Sequence, residues 1–205
     1  SYMIEDLKHK FENYKPYING YKNMKRASVL IPIVKKDNMH YILFQVRSKN
    51  LKSQPNEISF PGGKIENNES PLDAVIRETC EELGTNVKNV NIISEIDLLI
   101  TPGDMIIHPF VGYINNIDSL HINKDEVDHI FLVPLSYLLK HKPSLYNNEV
   151  KVIPNDNFPY DIIPNKKDYK FATSNYRVLF YKYENYVIWG ITAKILENFL
   201  EFLEV

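Results

Sequence analysis

One segment of the chain, residues 63–85, constrains the fold more than any other. It reads GKIENNESPLDAVIRETCEELGT and follows a Phe-Pro-Gly-Gly turn. If residues 70–83 form a helix, Glu78, Glu81 and Glu82 occupy positions i, i+3 and i+4, where side chains are neighbours. Like charges on one helical turn oppose helix formation unless a cation relieves them, and a hard divalent metal prefers oxygen ligands. The segment therefore predicts a metal-binding helix, although an ordinary amphipathic helix with a solvated acidic face would show the same spacing.

The ends of this helix are marked by residues that favour helix caps. Ser70 is a good N-cap, and Pro71 takes the first helical position, where a missing N–H loses no intrahelical bond. Asp73 follows the cap by three residues, as in a capping box, and Gly84 suits a left-handed C-terminal position. The helical period predicts an apolar side opposite the three glutamates. The residues of that predicted apolar side are Leu72, Ile76, Thr79, Cys80 and Leu83.

The spacing of the fixed residues resembles the signature of the Nudix hydrolases. Gly63, Glu69, the Arg-Glu pair at Arg77, the following Glu-Glu pair and Gly84 stand at the intervals of that signature. Two threonines, Thr79 and Thr85, take its loosely apolar positions. The resemblance implies an α/β fold, the Nudix α/β/α sandwich with a mixed β-sheet between helices. It also implies attack of water on phosphorus in a nucleoside diphosphate that is linked to another group.

The resemblance assigns roles to the acidic residues. It implies that Glu78, Glu81 and Glu82 hold magnesium or manganese beside a diphosphate. A carboxylate cluster is destabilised by its own charge, and a bound metal reverses this while it clamps phosphate oxygens. The general base stays open between Glu126, which resembles a downstream glutamate of many Nudix enzymes, and Glu78 or Glu81. Glu126 could equally be a loop residue without a role.

Four further residues in and just before the motif are expected to support the site. In the resemblance, Glu69 and Arg77 form a pair that steadies the loop before the helix, as outer partners of metal ligands do. A plain surface salt bridge is the competing interpretation. Gly62 and Gly63 permit a close approach of substrate or metal to the backbone. The backbone carbonyl of Gly63, or that of its neighbour, is a further ligand that the family suggests.

The segment before the motif narrows the expected substrate. Residues 43–63, LFQVRSKNLKSQPNEISFPGG, are similar to the element that precedes the Nudix box in coenzyme A pyrophosphatases, with Gln54 in place of a histidine and Asn56 in place of a glycine. Enzymes of that kind split coenzyme A into adenosine 3',5'-bisphosphate and 4'-phosphopantetheine. Arg47 and Lys52 are candidate phosphate contacts, since arginine binds phosphate bidentately and lysine acts as a point charge. Both could also be solvated loop cations.

Two other functions stay open on the sequence alone. One is a Nudix hydrolase of another nucleoside diphosphate derivative, such as a nucleoside triphosphate or ADP-ribose. The other is a non-catalytic module that binds a nucleotide, although such modules typically lose helix glutamates that this chain keeps.

Composition restricts the partners. The chain has 205 residues and a formal net charge of −2, so a sequence-independent interaction with nucleic acid is not expected. The single cysteine, Cys80, fits a reducing compartment and a packed position rather than a nucleophile. No apolar run has the length of a membrane span and no secretory signal is visible. We expect a cytoplasmic enzyme with a small coenzyme A-like substrate and no nucleic-acid or membrane partner. A homo-oligomer is possible, and the sequence leaves the oligomeric state open.

The chain is expected to form one catalytic domain with an extension. Residues 1–25 predict an N-terminal helical extension packed on the domain, and residues 26–205 the Nudix domain. Within it, residues 143–173 predict an irregular insertion. Apolar runs bounded by turn residues predict strands. The predicted strands are 28–34, 41–46, 90–100, 106–114, 129–133, 176–181 and 186–189, with helices at 135–141 and 191–203.

Overall fold

The structure, a computed structural model, describes residues 2–204, and most of its strands belong to one mixed sheet. The main path of this eight-stranded sheet is β3-β2-β1-β7-β5, while β4 pairs with β1, β6 with β7 and β8 with β2. Strands β1 and β7 are parallel and the other pairs are antiparallel. The predicted mixed sheet is thus confirmed. Its strands are β1 (Lys25–Lys36), β2 (Met39–Arg47), β3 (Ile58–Ser59), β4 (Gly62–Lys64), β5 (Val90–Glu95), β6 (Leu99–Ile100), β7 (Met105–Ile114) and β8 (Val127–Pro134).

Helices cover both faces of the sheet. The helices are α1 (Tyr2–Phe11), α2 (Pro71–Leu83), α3 (Leu135–Lys140) and α4 (Gly190–Glu201). On one face, Val75 and Leu83 of α2 pack in the same buried cluster as Leu30 of β1. On the other face, Ile31 lies in a second cluster with Leu196 of α4. Successive residues of a strand point to opposite faces, so β1 supplies both cores and the predicted α/β/α arrangement is confirmed.

Helix α2 begins and ends where its caps predict. The Ser70 side chain accepts a hydrogen bond from the backbone N–H of Asp73 at 3.0 Å. At the other end, Gly84 takes a left-handed conformation with φ of 62°, and its N–H donates to the carbonyl oxygen of Cys80. Local capping chemistry therefore defines this helix before any tertiary contact is considered.

The predicted apolar side of α2 is partly wrong. Leu72 is 42% exposed, whereas Glu82 is only 5% exposed. The helix buries a stripe through Val75, Thr79 and Leu83, and Glu82 lies at the edge of that stripe where the helix meets the sheet. Glu81 is therefore exposed and its neighbour Glu82 is buried. The two differ because one helical turn spans both the packed and the open side of the helix.

A second, antiparallel sheet lies outside the mixed one. Its strands are β9 (Ser144–Lys151), β10 (Thr173–Tyr183) and β11 (Tyr186–Trp189), in the order β11-β10-β9. The prediction of irregular structure over residues 143–173 is wrong for β9. All residues of this strand are exposed, so no alternation of buried and exposed positions marks it in the sequence. The rest of that region contains only short 3-10 turns, at Tyr160–Ile162 and Lys166–Asp168.

The N-terminal extension contains helix α1, but the domain does not cover its apolar side. Four side chains of this helix, Met3, Ile4, Leu7 and Phe11, are between 47% and 68% exposed. The prediction that they pack on the domain is therefore wrong. The extension instead touches the domain through Tyr17, whose hydroxyl lies 3.2 Å from Nε2 of His108.

Two further expectations concern the limits of the domain and its environment. The boundary predicted at residue 26 stays a prediction, and the terminal residues Ser1 and Val205 lie outside the described residues. Within residues 2–204, none of the helices combines the length and the apolar character that crossing a bilayer requires.

Replacing Gly84 by alanine should destabilise the fold more than the same change at Gly190. Both glycines have left-handed backbones, with φ of 62° and 63°. A Cβ atom at Gly84 would lie 1.7 Å from the carbonyl oxygen of His121, whereas one at Gly190 would meet no atom within 4 Å. We expect Gly190→Ala to lower the free energy of unfolding by about 1 kcal/mol, and Gly84→Ala by about 3 kcal/mol or more. Urea unfolding followed by circular dichroism measures both, and equal losses would contradict the steric argument.

Candidate functional site

The glycine turn before α2 lets the helix approach the sheet. Gly62 has φ of 155°, and a Cβ atom on it would lie 2.2 Å from the carbonyl oxygen of Ser28 in β1. A Cβ atom on Gly63 would lie 2.5 Å from the carboxyl carbon of Glu78. Neither position has room for a side chain. The two glycines therefore bring the backbone of the turn directly against a carboxylate of α2.

Three carboxylates meet beside this turn, and we call them the acidic group. Glu78 and Glu82 come from α2, and Glu126 comes from the loop before β8. One carboxylate oxygen from each lies within 4.8 Å of the others. The backbone of Glu126 is fixed by its carbonyl oxygen, which accepts a hydrogen bond of 2.9 Å from the N–H of Ser48. Residues far apart in the sequence thus converge because β2 and β8 are paired.

Glu82 is the buried member of the acidic group. The backbone N–H of Gly62 donates to its Oε1 at 3.2 Å, and Nε2 of Gln45 donates to its Oε2. Burial raises the pKa of Glu82 to about 8, even though both donors favour the charged form, and the charges of Glu78 and Glu126 act in the same direction as burial. The negative charge of the Glu82 carboxylate is thus not balanced by its two hydrogen-bond donors.

Glu78 is partly buried and has one cationic neighbour. Burial raises its pKa, and the hydrogen bond of 2.9 Å that Nη1 of Arg77 donates to its Oε1 opposes that rise. The acidic group thus offers clustered carboxylate oxygens and too little positive charge to balance them. Such a donor set fits a hard divalent cation such as Mg²⁺ or Mn²⁺.

Glu81 stands apart from the acidic group. Its side chain is 55% exposed, and its Oε2 lies 3.6 Å from Nη1 of Arg77. Among residues 2–204, the cluster of possible metal ligands consists of Glu78, Glu82 and Glu126. The predicted role of Glu81 as a ligand therefore has no support from this arrangement, whereas Glu126 is one of the possible ligands.

Arg77 and Glu69 form the pair that the motif predicts. Nε and Nη2 of Arg77 donate to the two carboxylate oxygens of Glu69 at 2.8 and 3.0 Å, and Nη2 also donates to the carbonyl oxygen of Lys64 at 3.1 Å. The hydrogen bonds from Arg77 are the main reason that the pKa of Glu69 falls to about 2. Since Arg77 also contacts Glu78, it links the loop before α2 to the acidic group.

Arg47 shapes the loop between β2 and β3. Its Nη2 and Nε donate to the carbonyl oxygens of Ser53 and Gln54 at 2.9 and 3.1 Å. Gln54 and Asn56 have φ of 50° and 63°, and asparagine adopts this left-handed conformation more readily than most residues. Asn56 can thus replace a glycine without a change of backbone. Lys52 is exposed on the same loop.

Sequence reasoning missed Gln45. This residue is 2% exposed and donates to Glu82 from the middle of β2. The available signal was a polar amide at an inward position of an apolar strand, between Phe44 and Val46. Its partner could not be read from the sequence, because Glu82 was expected on an open helix face.

Comparisons with known proteins show which sequences this chain resembles. The family model described as NUDIX domain matches residues 24–171. The mouse protein named peroxisomal coenzyme A diphosphatase NUDT7 is 31% identical over 175 residues, which are 83% of this chain and 66% of that protein. The chain thus spans slightly less than two thirds of the mouse protein. The Citrobacter koseri protein named uncharacterized Nudix hydrolase NudL is 30% identical over 200 residues, or 97% of this chain and 93% of that protein.

Among solved structures, a Caenorhabditis elegans Ap4A hydrolase in a binary complex resembles the chain with a TM-score of 0.47. The sequence identity is 20%, and the match covers 57% of this chain and 84% of the other.

Affinity for Mn²⁺ should increase with pH up to about pH 8. The pKa of Glu82 is raised to about 8, so a proton must leave this carboxyl group before a cation binds at lower pH. We expect the association constant to rise by about tenfold per pH unit below pH 8 and to level off above it. Titrations of Mn²⁺ between pH 6 and pH 9, followed by electron paramagnetic resonance, measure this. The Glu81→Gln variant should keep the slope, and a flat profile in the unaltered chain would contradict the assignment.

The pair of Arg77 and Glu69 should contribute to stability in a defined pH range. The folded-state pKa of Glu69, about 2, lies below the ordinary value of 4.5, so its contribution is complete above pH 4.5 and is lost as the pH falls towards 2. We expect Glu69→Gln to lower the urea midpoint at pH 6, and the difference from the unaltered chain to shrink at acid pH. Glu66→Gln, at an exposed side chain of the same loop, is the control. A difference that does not depend on pH would refute the electrostatic origin.

Proposed function

The chain belongs to the Nudix family, and on that basis we propose that it is a divalent-metal-dependent pyrophosphohydrolase that acts on coenzyme A or its derivatives. The observation that carries the proposal is the acidic group, in which two carboxylates of α2 and one from the loop before β8 meet beside a glycine turn. The products would be adenosine 3',5'-bisphosphate and 4'-phosphopantetheine. The cleaved bond joins phosphorus to the bridging oxygen of the diphosphate.

Each residue of the site has a separable task in this reaction. Glu82 and Glu78 would hold the cation, and Arg77 keeps the Glu78 carboxylate in place through its hydrogen bond. Gly63 lets the backbone of the turn lie directly against the Glu78 carboxylate, which a side chain at this position would displace. A bound divalent cation supplies Lewis acidity towards phosphoryl oxygens and lowers the pKa of a coordinated water.

Glu126 is the best candidate for the group that accepts a proton from the attacking water. Glu78 accepts a hydrogen bond from Arg77, and Glu81 lies 3.6 Å from the same guanidinium, so both carboxylates already have a cationic partner. Glu82 is buried and already accepts two hydrogen bonds. Glu126 is exposed and lies in the acidic group. In the proposed step, the water oxygen bonds to phosphorus, the bond to the bridging oxygen breaks, and the proton passes to the Glu126 carboxylate.

Two observations support coenzyme A as the substrate. The first is the likeness to the mouse protein that is named a coenzyme A diphosphatase. The second is the loop between β2 and β3, which resembles the element before the Nudix box in coenzyme A pyrophosphatases. Asn56 stands in place of a glycine of that element and has a left-handed backbone, as a glycine could. In this proposal Arg47 acts indirectly, since it holds loop carbonyls. The exposed Lys52 is a loop cation available for a phosphate.

Hydrolysis of coenzyme A should depend strongly on Glu82. With Mg²⁺ or Mn²⁺ present, we expect Glu82→Gln to lower kcat/KM by about 100-fold or more, because the amide cannot carry the ligand charge. Glu81→Gln, an equally conservative change outside the acidic group, should cause a smaller loss. Product formation followed by liquid chromatography and mass spectrometry measures both. Equal losses would return Glu81 to the ligand set, and unchanged turnover in Glu82→Gln would refute the metal assignment.

A substrate panel separates the proposed substrate from the other functions. Coenzyme A, acetyl-coenzyme A, ADP-ribose and a nucleoside triphosphate would be compared at equal concentration. Turnover of ADP-ribose or the triphosphate without turnover of coenzyme A would overturn the substrate and leave the enzyme class intact. Binding of these compounds without turnover, in the presence of either metal, would favour a non-catalytic module.

A further inference from the structure

Gln45 places a buried amide behind the acidic group. It lies in β2 between two apolar residues, Phe44 and Val46, and donates from Nε2 to Oε2 of Glu82. The N–H of Gly62 donates to the other oxygen of that carboxylate at 3.2 Å. Each carboxylate oxygen thus has one donor from the protein. Since one donor is in β2 and the other in β4, the orientation of the carboxylate depends on both.

The other end of the same amide has no protein partner. Oε1 of Gln45 and Oγ of Ser59 are both buried and make no hydrogen bond to any residue within 2–204. The two residues lie directly opposite each other in the antiparallel pairing of β2 with β3. Opposite residues in such a pair point to the same face, with Cβ atoms about 5 Å apart. A buried acceptor and a buried hydroxyl group therefore face the same space.

Strand β3 is held in place from the other side. The hydroxyl of Thr192 in α4 donates to the carbonyl oxygen of Ile58 at 3.1 Å, and Ile58 lies opposite Val46. This contact fixes the backbone next to Ser59. The Ser59 side chain is thus carried on a fixed segment of backbone, on the same face of the sheet as Gln45.

We propose that Ser59 and Gln45 form a positioning relay for Glu82, in which the Ser59 hydroxyl donates to Oε1 of Gln45 through one bridging water. An amide has the same shape in its two orientations, so a donor on the oxygen side decides which end faces the carboxylate. In the reversed orientation the amide oxygen would meet Oε2 of Glu82 and repel it. The relay rests on the proposed function, because its effect is the affinity of Glu82 for a cation.

A role in packing alone does not account for Gln45. A buried amide with an unpaired oxygen destabilises a core, and an apolar side chain of similar volume would fill the same space without that penalty. Thr79 offers a comparison, since its Oγ1 is also buried without a partner. This hydroxyl belongs to the stripe of α2 that contains Val75 and Leu83. Its removal therefore tests the loss of a buried polar group apart from the relay.

The test is the dissociation constant for Mn²⁺ in the absence of substrate, followed by electron paramagnetic resonance at one pH. Gln45→Met keeps the volume and removes the donor, and we expect it to weaken binding by about 10–100-fold. Ser59→Ala should weaken binding by about threefold to tenfold. The double variant should bind no more weakly than Gln45→Met, because Ser59 acts only through Gln45. Thr79→Val should keep the affinity of the unaltered chain, and circular dichroism checks that each variant is folded.

The outcomes separate this inference from the proposed function. If the unaltered chain does not bind Mn²⁺, the metal site itself is wrong, and the relay with it. If the chain binds Mn²⁺ and Gln45→Met binds equally well, only the relay is wrong. An unchanged affinity in Ser59→Ala, or an equal loss in Thr79→Val, would also overturn it. Should Gln45→Met fail to fold, the comparison of Ser59→Ala with Thr79→Val decides the matter.

Discussion

The site depends on the burial of one charged side chain, Glu82, at the junction of α2 with the mixed sheet. A carboxylate is stable there only if donors and a positive charge compensate for the loss of water. The sheet supplies a backbone N–H from Gly62 and an amide from Gln45. Both donors reach Glu82 because Gly62 and Gly63 have no side chains that would keep the helix away. The buried position of Glu82 thus requires both the apolar stripe of α2 and the two glycines of the turn.

The local sequence predicts the helix well and the environment of its glutamates poorly. Ser70 and Gly84 act within their own turns, so their capping roles could be predicted without knowledge of the fold. The burial of Glu82 could not, because it depends on how close the helix comes to the sheet. A helical wheel places this residue opposite the apolar side, whereas the structure places it at the margin of the packed stripe. The tight approach at Gly62 and Gly63 decides the difference.

Long-range contacts explain the other differences between sequence and structure. Glu126 was suggested by family resemblance alone, and the pairing of β2 with β8 brings it to the acidic group. Strand β9 has no buried positions, so its pairing with β10 rather than its own pattern defines it. The apolar residues of α1 have a helical period, but that period does not state whether another surface covers them. Periodicity describes a face, and only the fold shows what lies against it.

The acidic group joins two segments that are far apart along the chain, α2 and the loop before β8. A cation bound in the acidic group would therefore favour the folded arrangement in which α2 and this loop lie together. Because the three carboxylates converge only in the folded chain, the cation has no such site in the unfolded chain. Ligand binding to the native state also shifts the folding equilibrium by mass action. A bound metal would thus also stabilise the contact between α2 and the loop before β8 against unfolding.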